Sequence, residues 1–151
     1  MVWPFLSRTS PARQPADAGS ACRPAFALTV EVHRPFHAAL GDVRKALEAE
    51  DLQIWQEQDL SDAAARRNQV LLSVCAPRVL EQVRQIDPDL CVLLPLRASV
   101  RELAPGQVRV ALQDPLTGAA AGEDWQRLCQ LHYGLLRRVV DRLLIGPPDV
   151  F

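Results

Sequence analysis

From Phe26 onward, apolar and polar residues begin to alternate along the chain. Phe26, Leu28, Val30 and Val32 fall on one side and Ala27, Thr29 and Glu31 on the other, the period of a half-buried strand. Pro35 then opens a helix. Phe36, Ala39, Leu40, Val43, Ala46 and Leu47 recur at helical spacing, with Asp42, Arg44, Lys45 and Glu48 opposite them. Leu52, Ile54 and Gln56 begin a second strand whose outer face carries Trp55. The polar, alanine-rich run from Asp59 to Asn68 predicts a loop or a short helical turn. Val70 to Val74 is mostly apolar and too short for a helix, which fits a buried central strand.

Pro77 suits a first helical position, where its missing N–H costs nothing. Val79, Leu80, Val83 and Ile86 then share one face until Asp87-Pro88 stops the helix. Cys91 to Leu94 predicts another buried strand, cut short at Pro95, which cannot donate to a ladder. Leu96, Ala98 and Val100 alternate with Arg97, Ser99 and Arg101. Ala104-Pro105-Gly106 makes a turn, and Val108, Val110 and Leu112 return as the hairpin partner.

The clearest helix is predicted over about 122–145. Trp125, Leu128, Cys129, His132, Leu135, Val139 and Leu143 form its apolar stripe, widened by Leu136 and Val140. Glu123 and Asp124 stand at its positive end and Arg137, Arg138 and Arg142 towards its negative end, both favourable with the macrodipole. Gly146-Pro147 ends it. The order β-α-β-β-α-β-β-α predicts an α+β fold, with a mixed or antiparallel sheet of about five to six strands and helices packed on one face.

A chain of 151 residues fits one domain, placed by these patterns at 25–146. Residues 1–24 hold Pro4, Pro11, Pro15 and Pro24 among small and polar residues, which predicts a disordered extension in which only Trp3, Phe5 and Leu6 could dock. Residues 147–151 form a tail. The net charge of -1 removes the electrostatic argument for nucleic acid, which rests on a basic face. Cys22, Cys75, Cys91 and Cys129 lie far apart with no Cys-x-x-Cys. That spacing offers neither a zinc framework nor a disulfide scaffold, and it predicts free thiols in a reducing cytoplasm. The apolar start is broken at Ser7 and Arg8, short of a secretory core, and no window reaches the roughly 18 apolar residues that span a bilayer.

Four short motifs recur at meaningful intervals. Val74-Cys75-Ala76-Pro77 ends a strand and opens a helix, and Asp87-Pro88 makes a turn. Leu93-Leu94-Pro95-Leu96 follows, and Asp114-Pro115 closes the hairpin. Together these resemble the domain-of-unknown-function 302 family over residues from about 26 to 115. Two departures stand out, Ala76 in the place of the family's asparagine and Leu96 in the place of its second cysteine. The segment between Ile54 and Val70 is also shorter than is typical. The resemblance implies a compact α+β fold and a homodimer, and it implies no chemistry.

Among residues that could carry chemistry, Cys75 comes first. A thiol before a helix start, facing its N–H groups, has its thiolate stabilised and could act as nucleophile, redox sensor or soft-metal ligand. The plainer reading is a small buried residue at a strand-to-helix turn. His33 and His37 bracket the end of the first strand and the start of the first helix. If strands one and three run parallel, His33, His37 and Cys75 share one edge and could bind zinc or copper. Otherwise the histidines are surface residues. Arg97, Arg101 and Arg109 are assigned to the outer face of a hairpin, where they could receive an anion or simply solvate the sheet. His132 in its apolar stripe reads as a packed residue, and Asp87 and Asp89 as turn formers. No Gly-x-Gly-x-x-Gly or Walker pattern supports nucleotide binding.

These features predict a non-catalytic ligand-binding or interaction module, acting as a homodimer on an unidentified small molecule and needing no cofactor, nucleic acid or membrane. The alternative is a thiol- or metal-linked redox accessory protein centred on Cys75 with His33 and His37. A small-substrate enzyme would need acid–base pairs that only folding could bring together.

Overall fold

The computed structural model describes residues 26–116 and 122–146. The proline-rich extension with its Trp3, Phe5 and Leu6, Cys22, and the tail lie outside the described residues. Five strands and three helices follow in the order β1 (Ala27–Val32), α1 (Phe36–Ala49), β2 (Gln53–Asp59), β3 (Gln69–Cys75), α2 (Pro77–Ile86), a 3-10 turn (Pro88–Leu93), β4 (Leu96–Ala104), β5 (Gln107–Gln113) and α3 (Glu123–Ile145). This is the α+β class that the hydrophobic pattern predicts.

The strands form one sheet in the order β1-β5-β4-β3-β2, and every neighbouring pair is antiparallel. Alternation along each strand sends Leu28, Val30 and Val32 inward, with Leu72, Val74, Leu96, Ala98, Val100, Val108, Val110 and Leu112 from the other strands. The helices close over this face. All six apolar positions predicted for α1 are buried, and α3 buries Trp125, Leu128, Cys129, His132, Leu136, Val139, Val140 and Leu143. Removing these side chains from water is the main force holding the layers together, at about 25 cal/mol per Å².

Polar contacts fasten the margins of that core. Glu50, just past α1, accepts from Arg138 Nε at 2.8 Å and from Arg142 Nε at 2.9 Å, which ties the end of α1 to α3. Burial would raise the Glu50 carboxyl, but the two guanidiniums outweigh it and hold the group below its ordinary value. On the edge strand β2, Glu57 receives a two-point fork from Arg44 at 2.7 and 2.8 Å. The pairing of β2 with β3 slips between Ile54 and Gln56, leaving Trp55 as the extra, exposed residue of a bulge. A charged, bulged edge discourages further strand pairing.

One predicted element is different. Cys91–Leu94 is not a buried strand but the latter part of the 3-10 turn and the residue after it. Asp87 Oδ1 accepts from the Asp89 N–H at 2.9 Å, and Pro88 takes the first helical position, so the chain coils at once. Val92 is left 84% exposed. Four apolar residues cannot by themselves distinguish a strand from a coiled turn, and here the Asp-Pro start decides.

A cleft that gathers separated motifs

At one end of the sheet β3 ends, β4 begins and β5 ends. The first half of α3 lies over this end, with α2 and the 3-10 turn beside it. Between them is a cleft of about 60 Å³, lined by Val79, Leu93, Leu94, Leu96, Gln113, Asp114, Pro115, Trp125, Leu128, Cys129 and His132. Leu93-Leu94 with Leu96, and Asp114-Pro115, belong to the motifs noted in the sequence. Cys75-Ala76-Pro77 launches the helix that contributes Val79. Residues as far apart in the chain as Val79 and His132 thus meet at one place.

The α3 wall of the cleft follows from helical geometry. Trp125, Cys129 and His132 lie at i, i+4 and i+7, so they stand on one face over roughly 10 Å. Trp125 is 5% exposed and His132 3%. Neither the Trp125 Nε1–H nor His132 Nε2 has a hydrogen-bond partner among the described residues. Buried polar atoms are nearly always satisfied, and an unmet one costs about 1–3 kcal/mol. Burial pushes the His132 imidazole down to about 4, so it is neutral at neutral pH. Burial also raises the Cys129 thiol, with the Asp114 carboxylate adding to the effect. Asp114 itself closes a turn, accepting from the Leu116 N–H at 2.8 Å. Gln113 Oε1 accepts from the Arg97 N–H at 2.9 Å.

The trio of His33, His37 and Cys75 is not assembled. The condition for it, parallel strands one and three, fails: β1 and β3 run in opposite directions with β5 and β4 between them. His33 follows β1 at one end of the sheet, and Cys75 closes β3 at the other. The separation is about 14 Å across the strands and about 20 Å along them. His33 and His37 are exposed, and the His37 ring lies edge-on to Phe36 with centroids 5.4 Å apart. Among the described residues no group of three or more His, Cys, Asp or Glu side chains could hold a metal ion.

Cys75 also lacks the setting of a reactive thiol. It is fully buried, its Sγ donates to the Ala76 carbonyl at 3.6 Å, and burial, with the nearby Cys91, raises its pKa. Desolvation outweighs any benefit from the start of α2.

The arginines do not converge as one cluster. Arg97 and Arg101 are four residues apart on β4, about 13 Å. Arg97 donates to Ser73 Oγ at 2.6 Å. Arg101 stands directly opposite Arg109, and Arg109 is drawn to Glu31 at 2.8 Å. Asp87 and Asp89 form the turn described above and face no partner as an acid–base pair.

Sequence reasoning passed over the cleft's main residues. The only signal was the inclusion of a histidine and a tryptophan in an apolar helical stripe. Periodicity shows that such residues face inward, not whether their polar atoms meet a partner there.

No protein among the curated proteins matches this chain. Of solved structures, it is similar to the crystal structure of an uncharacterised conserved DUF302 protein from Bacillus stearothermophilus. That similarity has a TM-score of 0.68 at 18% identity, covering 80% of this chain and 99% of the other. At that identity the likeness is one of fold. The family model described as "Domain of unknown function DUF302" matches residues 28–143, which extends the resemblance through α3, and the chain belongs to that family.

Proposed function

We propose that this protein is a non-catalytic small-molecule-binding module that acts as a homodimer. One observation carries the reading: a largely apolar cleft whose lining includes two deeply buried residues, Trp125 and His132, each with a ring nitrogen that has no hydrogen-bond partner among the described residues. A molecule held against this wall would be taken out of water on a mostly apolar surface with a few polar groups beside it, the usual make-up of a small-molecule site. Against catalysis stand a neutral imidazole with no base or nucleophile paired to it and a thiol whose pKa is raised rather than lowered.

The homodimer rests on the other face of the sheet. Thr29, Ala111, Ser99 and Leu71 form an uncharged row across β1, β5, β4 and β3. Among the described residues no helix covers this face, and the five strands span about 24 by 23 Å, an area of the order that one side of a standard interface uses. A second copy of the chain is the occupant that the family resemblance suggests. The free thiols Cys75, Cys91 and Cys129 fit a reducing compartment such as the cytoplasm. No described helix is long and apolar enough to cross a membrane.

A thermal-shift screen of neutral and charged metabolites tests the binding reading, with at least one saturable rise in melting temperature expected. Uniformly flat responses would refute it. Light scattering tests the dimer. The native chain should run at twice its monomer mass of 16.7 kDa, and Ser99→Arg should halve the observed mass. A monomeric native chain at micromolar concentration would end the homodimer reading.

A further inference from the structure

We infer that a groove at the far end of α3 binds an amphipathic organic anion, an oxyanion head carried on an apolar body. The groove is a site distinct from the cleft, since Ile145 lies about 30 Å along α3 from Trp125. Three elements build it. On α1, Asp42, Lys45, Ala46 and Ala49 fall at i, i+3, i+4 and i+7, which places them on one face over roughly 10 Å. The end of β1 adds Val32, with Arg34 just beyond it, and the last turn of α3 adds Arg142, Leu143 and Ile145. The groove holds about 440 Å³, against about 60 Å³ for the cleft. Sites for whole small molecules occupy roughly 300–1,000 Å³, and only the groove reaches that range.

Its lining divides into two kinds of surface. Val32, Ala46 and Leu143 are buried apolar residues, and Ile145 stands beside them 84% exposed. An apolar body lying on Val32, Ala46 and Leu143 would take the Ile145 side chain out of water as well. The charged lining is basic, with Arg34, Lys45 and Arg142 against the single carboxylate of Asp42. Asp42 is occupied by Arg34, and Glu50, which accepts from Arg142, is shared with Arg138. Lys45 is exposed and has no acidic partner among the described residues. A guanidinium carries five donors, and each of these pairs uses one, so Arg34 and Arg142 retain N–H groups that solvent reaches. The C-terminal ends of α1 and α3 oppose an anion by about half a charge each, too little to cancel the excess of cations. A ligand cation would meet that excess directly, and a neutral molecule would leave Lys45 unpaired.

Four probes separate these possibilities, namely octanoate, 1-octanol, octylammonium and acetate, each titrated into the full chain and followed by ¹H–¹⁵N spectra. Octanoate should move the backbone N–H signals of Ala46, Ala49 and Leu143 saturably while the Trp125 indole signal stays still. Octanol should bind about tenfold more weakly, because it forgoes the charge-assisted hydrogen bonds. Octylammonium and acetate should move none of the groove signals. Lys45→Glu should weaken octanoate about tenfold and Lys45→Arg should keep it. Ala49→Trp, which lays a ring across the groove, should abolish binding. Both positions are exposed, so the variants should keep the native spectrum elsewhere. Equal affinity for octanol would overturn the anion, and a preference for octylammonium would reverse the sign of the site and overturn it too. Acetate bound as tightly as octanoate would overturn the apolar body. Octanoate that moves only the Trp125 indole signal would overturn the groove and leave the cleft's binding reading standing. Groove signals that no probe moves would overturn this inference alone.

Discussion

Cys75 and Cys129 are both buried thiols with raised pKa values, yet they sit in opposite kinds of surroundings. Cys75 is enclosed at a strand-to-helix turn, its Sγ directed to the adjoining carbonyl, and it is not among the residues that line the cleft. Cys129 borders the cleft, between Trp125, whose Nε1 lacks a partner among the described residues, and His132, whose Nε2 does. The first region has the better sequence signature for reactivity and the second has the better structural case for a site. Burial alone marks packing. Burial combined with empty volume and unmet hydrogen-bonding capacity marks a place for something else.

The largest expected difference between the two regions is in their response to lost volume. Leu72, fully buried at the middle of β3, the strand that ends in Cys75, should cost about 4 kcal/mol as Leu72→Ala, near the upper part of the range for core leucines. Leu128 already borders open space, so Leu128→Ala should cost only about 2 kcal/mol. Urea unfolding midpoints measure both, and equal losses would mean that the cleft wall is as tightly packed as the core.

Acid sensitivity should also separate them. His132 has a folded-state pKa of about 4, against the ordinary value of 6.5 that the unfolded chain regains. Between those values the unfolded state binds the extra proton, so stability falls as pH is lowered from about 6.5 to about 4. No penalty from this group exists above that window. The full loss is about 3 kcal/mol. In His132→Phe the slope over pH 6.5–4.5 should flatten. The carboxylates with lowered values, Glu31, Glu50, Glu57 and Asp59, act in a lower window, as each loses its partner on protonation. An unchanged slope in His132→Phe would show that the imidazole is not desolvated in the native state.

The fold was largely legible because most of its elements are local. The six buried positions of α1, the alternation of β1 from Leu28 to Val32 and most of the stripe of α3 follow from period alone, whereas Phe26, read as the first inward position of β1, lies before the strand and is exposed, and Ala27, read as outward, is buried. Sheet order was less accessible. Whether β1 and β3 run parallel is settled by which strands pair across some 80 residues, and Val30 pairs with Val110 rather than with a neighbour in sequence. That one unknown created the His33, His37 and Cys75 trio, and topology dissolved it. The Cys91–Leu94 error was a local ambiguity resolved by the Asp87 turn. The cleft was hidden for a different reason: an empty space and an unmet N–H are properties of the assembled molecule, not of any residue pattern.

A larger side chain gives the converse test. Cys75→Leu should cost about 2 kcal/mol, since its tight enclosure leaves the added atoms no room. Cys129→Leu can extend into the cleft and should cost less than about 1 kcal/mol. Thiol labelling complements it. In a Cys22→Ser background, half-exposed Cys91 should react with iodoacetamide before Cys75 and Cys129, both of which should wait for unfolding. Fast labelling of Cys75 at neutral pH would revive the redox reading.

The smallest effect concerns what holds α3 in place while its first half forms the cleft. Glu50 grips Arg138 and Arg142 near the far end of that helix, and its own side chain is nearly enclosed while both arginines are about half exposed. Partly solvated pairs contribute little, so Glu50→Gln should cost no more than about 1 kcal/mol, with the difference shrinking as salt is raised. Glu50 lies almost the length of α3 from Trp125, and core packing by Leu136, Val139 and Val140 separates the two. The position of the Trp125 indole N–H signal in a ¹H–¹⁵N spectrum should therefore be unchanged in Glu50→Gln. A displaced signal would mean that α3 moves as one rigid lever. The cleft would then depend on the whole helix being clamped, and its contrast with the Cys75 turn would no longer be local.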